Sequence, residues 1–183
     1  MRGPNDATRL EDRVFTLPNA LSLLRLFMVP LVVALLLARL DALGAAFFVL
    51  AAATDFLDGR IARRAGPTRL GRILDPVADR LMLSSVAVVL AVRGLLPAWA
   101  VAILVGRDLL ALAGSLVVGS KIRVNRVGKA ATAVLMGAVA LVVIIPGVVV
   151  GEIMFYAGFG LSIVAGLMYL GSVRRLFGGG EVR

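Results

Sequence analysis

The chain has 183 residues, 60% of them hydrophobic, with no cysteine, no histidine and a formal charge of +9. That apolar content and a mean hydropathy of +0.98 exclude an ordinary soluble domain, where about 45–50% is apolar, and point to an integral membrane protein whose positive charge serves topology and anionic lipid rather than nucleic acid. The missing residue types exclude disulfides, thiolate or imidazole zinc sites, a Ser-His-Asp triad and a histidine nucleophile, so acid–base or metal chemistry rests mainly on the 11 carboxylates.

Residues 1–16, MRGPNDATRLEDRVFT, are charged and polar, and no apolar core with a small-residue cleavage site follows; they read as a cytoplasmic N-terminal arm rather than a signal peptide. A membrane span needs about 20 mostly apolar residues. Six such stretches follow in order: 17–38, 43–62, 74–92, 97–118, 128–148 and 152–173. The expected architecture is therefore all-α, a six-transmembrane-helix bundle over 17–176 with a flexible tail at 177–183. No barrel-like alternation is present. The second and third stretches are the least apolar because they contain aspartates.

With six spans, both termini and the second and fourth loops share one side. That side holds Arg2, Arg9, Arg13, Arg60, Arg63, Arg64, Arg69, Arg72, Lys121, Arg123, Arg126, Lys129, Arg174, Arg175 and Arg183, against Arg39 and Arg93 opposite. The asymmetry sets both termini in the cytoplasm, as expected for a bacterial inner membrane. Within the spans, Asn19 reads as a helix cap, with a nucleotide contact as the alternative. Arg25 in the first span and Arg107 in the fourth are costly if unpaired and are expected to face the interior, with Asp108 and the aspartates of the second and third spans as candidate partners. Gly137, Ala138, Gly158, Gly160, Ala165 and Gly166 are expected to permit close helix packing. Trp99 and Tyr156 read as interfacial anchors.

The chemistry concentrates in TDFLDGRIARRAGPTRLGRILDPVADRLM, residues 54–82. Asp55 and Asp58 are three apart and Asp75 and Asp79 four apart, so each pair shares one face of a helix. Gly66-Pro67 between them signals a turn that folds the two helices together. An uncompensated aspartate near the bilayer centre costs about 2.5–3.5 kcal/mol, and two carboxylates about 6 Å apart repel by roughly 3 kcal/mol at an effective dielectric of 20. Such a cluster needs cations. Arginine can supply part of that charge, whereas hard divalent ions with oxygen ligands answer it better, and two Mg2+ or Mn2+ ions suit four carboxylates. Gly59 and Ala62 reduce bulk on the acidic face, Arg63 offers a bidentate clamp for a diphosphate, and Pro76 is expected at the opening of the third helix beside Asp75. The bland reading pairs each aspartate with a nearby arginine. It is weaker for two helically spaced pairs than for one acid.

The run Asp55-x2-Asp58-Gly59-x2-Ala62-Arg63-x7-Gly71-x3-Asp75-x3-Asp79 resembles, at every defined position, the signature of the CDP-alcohol phosphatidyltransferase family. LPNALSLLRLFMVP is similar to that family's Pro-Asn-x-Leu-Ser/Thr-x-x-Arg opening, and VGKAATAVLM at 127–136 to its Gly-Lys-x-x-Thr segment. The resemblance implies a six-helix membrane fold, a homodimer and an active site opening to the cytosol. It implies transfer of the phosphatidyl group of CDP-diacylglycerol to an alcohol, with release of CMP. Asp55, Asp58, Asp75 and Asp79 would be the metal ligands, with Asp79 also the general base; Gly59, Ala62, Arg63, Thr68 and Gly71 would line the CDP site.

For the acceptor, the resemblance narrows to the branch holding cardiolipin synthases, which use phosphatidylglycerol, and phosphatidylglycerophosphate synthases, which use glycerol 3-phosphate. The latter commonly carry Arg-Glu in the fourth helix and a second arginine eight positions later. Here the residues are Arg107-Asp108 and Ser115. With DRVFTLPN, LLPAWAVAILVGRD and NRVGKAATAVLM also similar to bacterial cardiolipin synthases of this type, the expected acceptor is phosphatidylglycerol. Arg107, Lys121, Arg123, Arg126 and Lys129 are the candidate contacts to the acceptor's phosphate, against the plain reading of 121–129 as a positive cytoplasmic loop. A cation or proton transporter would place acids along several spans, and intramembrane prenyltransferases call for a larger bundle.

Overall fold

The computed structural model describes residues 17–65, 71–118 and 126–178. Among them run six helices: α1 (Leu17–Leu37), α2 (Asp41–Ala65), α3 (Gly71–Val92), α4 (Ala98–Val118), α5 (Arg126–Ile144) and α6 (Val149–Gly178). The predicted helical class and helix order hold. Among the described residues, Ala20–Leu37, Val127–Ile144 and Val149–Met168 are long and apolar enough to cross a membrane, and Asp41–Thr54 of α2 is a shorter apolar stretch. Residues 1–16 and the end of the tail, 179–183, lie outside the described residues; the helix before that tail extends to Gly178 rather than ending near 173.

The chain divides between Val89 and Leu90 into two compact units. In the first, α1 and α2 form a hairpin. Ser22, Arg25, Met28, Val32 and Leu36 recur every three or four residues as the buried stripe of α1, and α2 buries Ala45, Phe48 and Ala51. Gly44 makes the close approach possible: a Cβ there would stand 2.5 Å from Cδ2 of Leu36. α1 ends in a Schellman cap, with the Leu40 N–H donating to the Leu35 carbonyl (2.9 Å) and the Arg39 N–H to the Leu36 carbonyl (3.2 Å). Its left-handed position is filled by Arg39 at φ 62°, where a side chain is disfavoured.

In the second unit, the end of α3 shows the same cap with glycine in the left-handed place. Leu95 N–H donates to Leu90 (2.8 Å) and Gly94 N–H to Ala91 (3.0 Å), with Gly94 at φ 75°. α5 and α6 pack as an antiparallel pair. The stretch expected to be helical through 148 breaks at Ile145-Pro146-Gly147-Val148, where the Val148 N–H donates to the Ile145 carbonyl (3.2 Å) and Gly147 sits at φ 80°. Proline followed by a left-handed glycine is the type II turn pattern.

The α5–α6 seam repeats every seven residues on both helices. Gly151 faces Val142, Gly158 faces Leu135, and Gly128 faces Ala165. A Cβ on Gly151 or Gly158 would lie 2.9 Å from its partner's side chain, whereas one on Gly128 would make an ordinary 3.8 Å contact with Ala165. A seven-residue repeat keeps one face against its neighbour along a shallow left-handed crossing. Of the expected packing positions, Gly137, Ala138, Gly158 and Ala165 fall at close or buried contacts. Gly160 does not, since a Cβ there would meet nothing within 4 Å. Trp99 is exposed on its outer face and meets Phe159 edge to face, with ring centroids 5.6 Å apart.

Candidate functional site

The acidic segment is helical on both sides of residues 66–70. α2 continues unbroken through Asp55, Asp58, Gly59, Ala62 and Arg63 to Ala65. Asp55, Asp58, Gly59 and Ala62 then occupy positions i, i+3, i+4 and i+7, a single stripe of that helix. α3 starts at Gly71, three residues earlier than the composition suggests. Gly71, Asp75 and Asp79 therefore stand at i, i+4 and i+8, a second stripe. Apolar length alone could not reveal this, because Gly71, Arg72 and Asp75 depress hydropathy without interrupting the helix.

The early start also corrects the position of Pro76. It is the sixth residue of α3 rather than the residue that opens it, and its missing N–H removes one intrahelical bond at that point. Asp75 accordingly sits in the second turn. Thr68 and the Gly66-Pro67 turn lie outside the described residues, as do the side chains of Asp55, Asp58, Ala62, Arg63 and Asp75.

Asp79 is the member of the acidic set whose side chain is described. Its Oδ1 accepts from Nη1 of Arg25 on α1. Arg25 is almost wholly buried, at 1% side-chain exposure, whereas Asp79 keeps 26%. The expectation that Arg25 faces inward to a motif carboxylate is met. Which carboxylate it takes was not legible, because 54 residues separate the partners. The stripe explains the approach: Ser22 and Arg25 are the polar members of the buried face of α1, and Ala78 and Met82 beside Asp79 are buried on α3. Removing one member of a buried pair costs about 3–5 kcal/mol, since the other charge is left uncompensated.

The second arginine behaves differently. Arg107, near the middle of α4, donates from Nη1 to Oδ1 of Asp108, the next residue, at 3.0 Å, with side-chain exposures of 22% and 14%. Its stem lies over Gly166, where a Cβ would stand 3.7 Å from Cγ of Arg107. Gly166 gives Arg107 space rather than closing a helix seam. In the Gly-Lys-x-x-Thr segment, Gly128 contributes to the α5–α6 seam and Thr132 donates its hydroxyl to the Gly128 carbonyl at 3.0 Å. Lys129 is exposed and is the residue of that segment left for a ligand. Lys121 and Arg123 lie outside the described residues, as does the side chain of Arg126, the first residue of α5.

Among the described residues no three acidic side chains gather around one point. The donor set nevertheless fits a hard divalent cation. It consists of carboxylate oxygens only, carried as pairs on one stripe of α2 and one of α3, with no cysteine or histidine in the chain.

The family model for CDP-alcohol phosphatidyltransferase matches residues 15–164. Among curated proteins, the chain is 38% identical to a cardiolipin synthase (CMP-forming) of Streptomyces coelicolor, over 92% of this chain and 88% of that protein. It is 41% identical to a putative cardiolipin synthase of Mycobacterium bovis, over 67% of this chain and 61% of that protein. A CDP-diacylglycerol–glycerol-3-phosphate 3-phosphatidyltransferase of Bacillus subtilis is 32% identical over 65% of this chain and 72% of its own length.

Proposed function

The chain belongs to the CDP-alcohol phosphatidyltransferase family, and we propose that it is a membrane enzyme that moves the phosphatidyl group of CDP-diacylglycerol to phosphatidylglycerol, making cardiolipin and releasing CMP. The observation that carries this reading is the pair of stripes, Asp55-Asp58-Gly59-Ala62 on α2 and Gly71-Asp75-Asp79 on α3, inside a family match that spans both helices.

In this mechanism the acceptor's hydroxyl oxygen attacks the phosphatidyl phosphorus, the bond from that phosphorus to the CMP oxygen breaks, and CMP departs with the bonding pair. Asp79 takes the hydroxyl proton. Its partial exposure suits that task, since the side chain stays reachable beside its Arg25 partner. Asp55, Asp58, Asp75 and Asp79 would hold two Mg2+ or Mn2+ ions, which when bound supply charge to neutralise the diphosphate and the departing CMP. Gly59, Ala62 and Gly71 leave room for the nucleotide beside the helix backbones, Thr68 is a further candidate for that site, and Arg63 offers a guanidinium to the diphosphate.

Phosphatidylglycerol is favoured as the acceptor by the Streptomyces relative, which aligns over 92% of this chain. The phosphate of that acceptor would be met by Lys129 and its basic neighbours Lys121, Arg123 and Arg126, with Arg107 as a further candidate. Glycerol 3-phosphate is the second reading, favoured by the Bacillus relative. Against it, the place for a second arginine on α4 holds Ser115. Six membrane crossings, cytoplasmic termini and active site, a bacterial inner-membrane location and a homodimer form part of the same proposal, supported by the distribution of basic residues and by the bacterial relatives.

Purified enzyme supplied with CDP-diacylglycerol and both acceptors in competition is expected to release CMP with formation of cardiolipin. Exclusive formation of phosphatidylglycerophosphate would reassign the acceptor, and undiminished transfer after exhaustive chelation would remove the metals from the proposal.

A further inference from the structure

Two contacts on neighbouring residues of α6 fix the height of α4 against α5. A Cβ on Gly166 would stand 3.7 Å from Cγ and 3.8 Å from Nε of Arg107, and one on Gly128 would stand 3.8 Å from Cβ of Ala165. Ala165 and Gly166 differ by one helical step, about 1.5 Å of rise. Arg107 on α4 and the first turn of α5, which carries the exposed Lys129, therefore stand at one height of the second unit. Among the described residues of this unit, a third charge belongs to that height: Asp108, whose Oδ1 lies 3.0 Å from Nη1 of Arg107. Asp108 has further interactions as well, so its value here is its charge rather than an open oxygen. Two cations beside one carboxylate leave a single net positive charge, and Ser115, eight residues after Arg107 on α4, adds none. A phosphodiester carries one negative charge, whereas a phosphomonoester carries about 1.5 to 2 near neutral pH. The described charges match the diester and leave the second charge of a monoester uncompensated.

We propose that Asp108 is a specificity-determining residue: standing beside Arg107, it lowers the positive charge offered to the acceptor's phosphate, so that a phosphodiester headgroup is accepted and a phosphomonoester is disfavoured. The proposal rests on the acceptor site inferred above, with Arg107 and Lys129 meeting the phosphate. The interaction of two charges scales with their product, so Asp108 repels a dianion about twice as strongly as a monoanion at the same place. The selection therefore reads the charge of the headgroup and does not need its acyl chains.

The test uses the full chain in nanodiscs with CDP-diacylglycerol and phosphatidylglycerol, following cardiolipin formation. Two soluble competitors without acyl chains are titrated: glycerophosphoglycerol, a diester, and glycerol 3-phosphate, a monoester. Wild type is expected to be inhibited by glycerophosphoglycerol at the lower concentration. In Asp108→Asn the ratio of the two inhibition constants should shift towards glycerol 3-phosphate by about tenfold, the order that one unit charge roughly 7 Å away gives in a partly exposed site. Asp108→Glu keeps the charge and should keep the wild-type ratio within about twofold. The ratio is independent of how much of each variant folds, so a purely structural role for Asp108 leaves it unchanged. An unchanged ratio in Asp108→Asn overturns the proposal. Wild type inhibited more tightly by glycerol 3-phosphate overturns it too, and does so without any variant. Wild-type enzyme that forms no cardiolipin from these substrates overturns the acceptor assignment first, and the role of Asp108 with it.

Discussion

The α5–α6 pair and the acidic stripes of α2 and α3 both place small residues at helical intervals, for opposite reasons. Along α5–α6 the spacing is seven on both helices, and Gly151 and Gly158 are each opposed by a side chain that fills the space the missing Cβ would take. Carboxylates and small residues share a stripe at i, i+3, i+4 and i+7 along α2 and at i, i+4 and i+8 along α3, and on the proposed function the space the small residues leave belongs to a ligand. One arrangement stores its information in shape, the other in charge. Substitutions in the first should therefore cost stability, and substitutions in the second should cost turnover.

The largest expected effect lies on the acidic side. Asp79→Asn keeps the size and one hydrogen-bond acceptor for Arg25 but removes the proposed base, so kcat is expected to fall by about 10²–10⁴, the range general-base catalysis supplies. CDP-diacylglycerol binding should persist. The loss of the negative partner leaves Arg25 less well compensated, so a lower thermal midpoint is also expected. The comparison breaks if the variant turns over at wild-type rate, measured as CMP release per folded molecule.

Next in size is a matched pair on α6. A Cβ at Gly158 would stand 2.9 Å from Cγ and 3.1 Å from the backbone nitrogen of Leu135, whereas one at Gly160 would meet nothing within 4 Å. Backbone cannot step aside as a side-chain tip can, so Gly158→Ala is expected to destabilise by about 1–3 kcal/mol, as overpacking does. Gly160→Ala should be neutral or stabilise by roughly 0.5–1 kcal/mol through helix propensity. Thermal unfolding of the two variants in the same detergent checks the pair; equal midpoints would remove the seam as a stability determinant.

How much of this was legible beforehand depended on which physical signal marked each element. Six apolar stretches located six helices, because sustained hydropathy and helical length coincide in a membrane chain. Helix ends were misplaced where polarity and backbone geometry part company. α2 and α3 run on into the charged segment, since aspartate and arginine do not end a helix, and α5 stops at a Pro146-Gly147 turn embedded in apolar residues. The aspartate spacing was visible as two face-sharing pairs, yet the inclusion of Gly71 in the second stripe depended on where α3 begins. That Gly151 and Gly128 belong to the α5–α6 seam was not visible, because register between two helices is a tertiary property. The Arg25–Asp79 pair falls between these cases: the cost of a buried charge announced that a partner exists, and the fold chose which one.

The smallest effect concerns the turn after α1, where the same cap that ends α3 with glycine carries an arginine. Arg39 is held at φ 62° and Gly94 at φ 75°, each closing a Schellman pattern with bonds of similar length. A non-glycine residue in that region strains against its own carbonyl, at a cost of roughly 1–2 kcal/mol. Glycine avoids the strain but gives up part of the gain to the freedom it adds to the unfolded chain. Arg39→Gly is therefore expected to stabilise by about 0.5–1 kcal/mol and raise the thermal midpoint by a few degrees, with turnover unchanged because Arg39 is exposed and remote in sequence from both acidic stripes. A fall in the midpoint would mean that the arginine side chain contributes more to this turn than its backbone strain removes, and would separate the caps of α1 and α3 despite their shared hydrogen bonds.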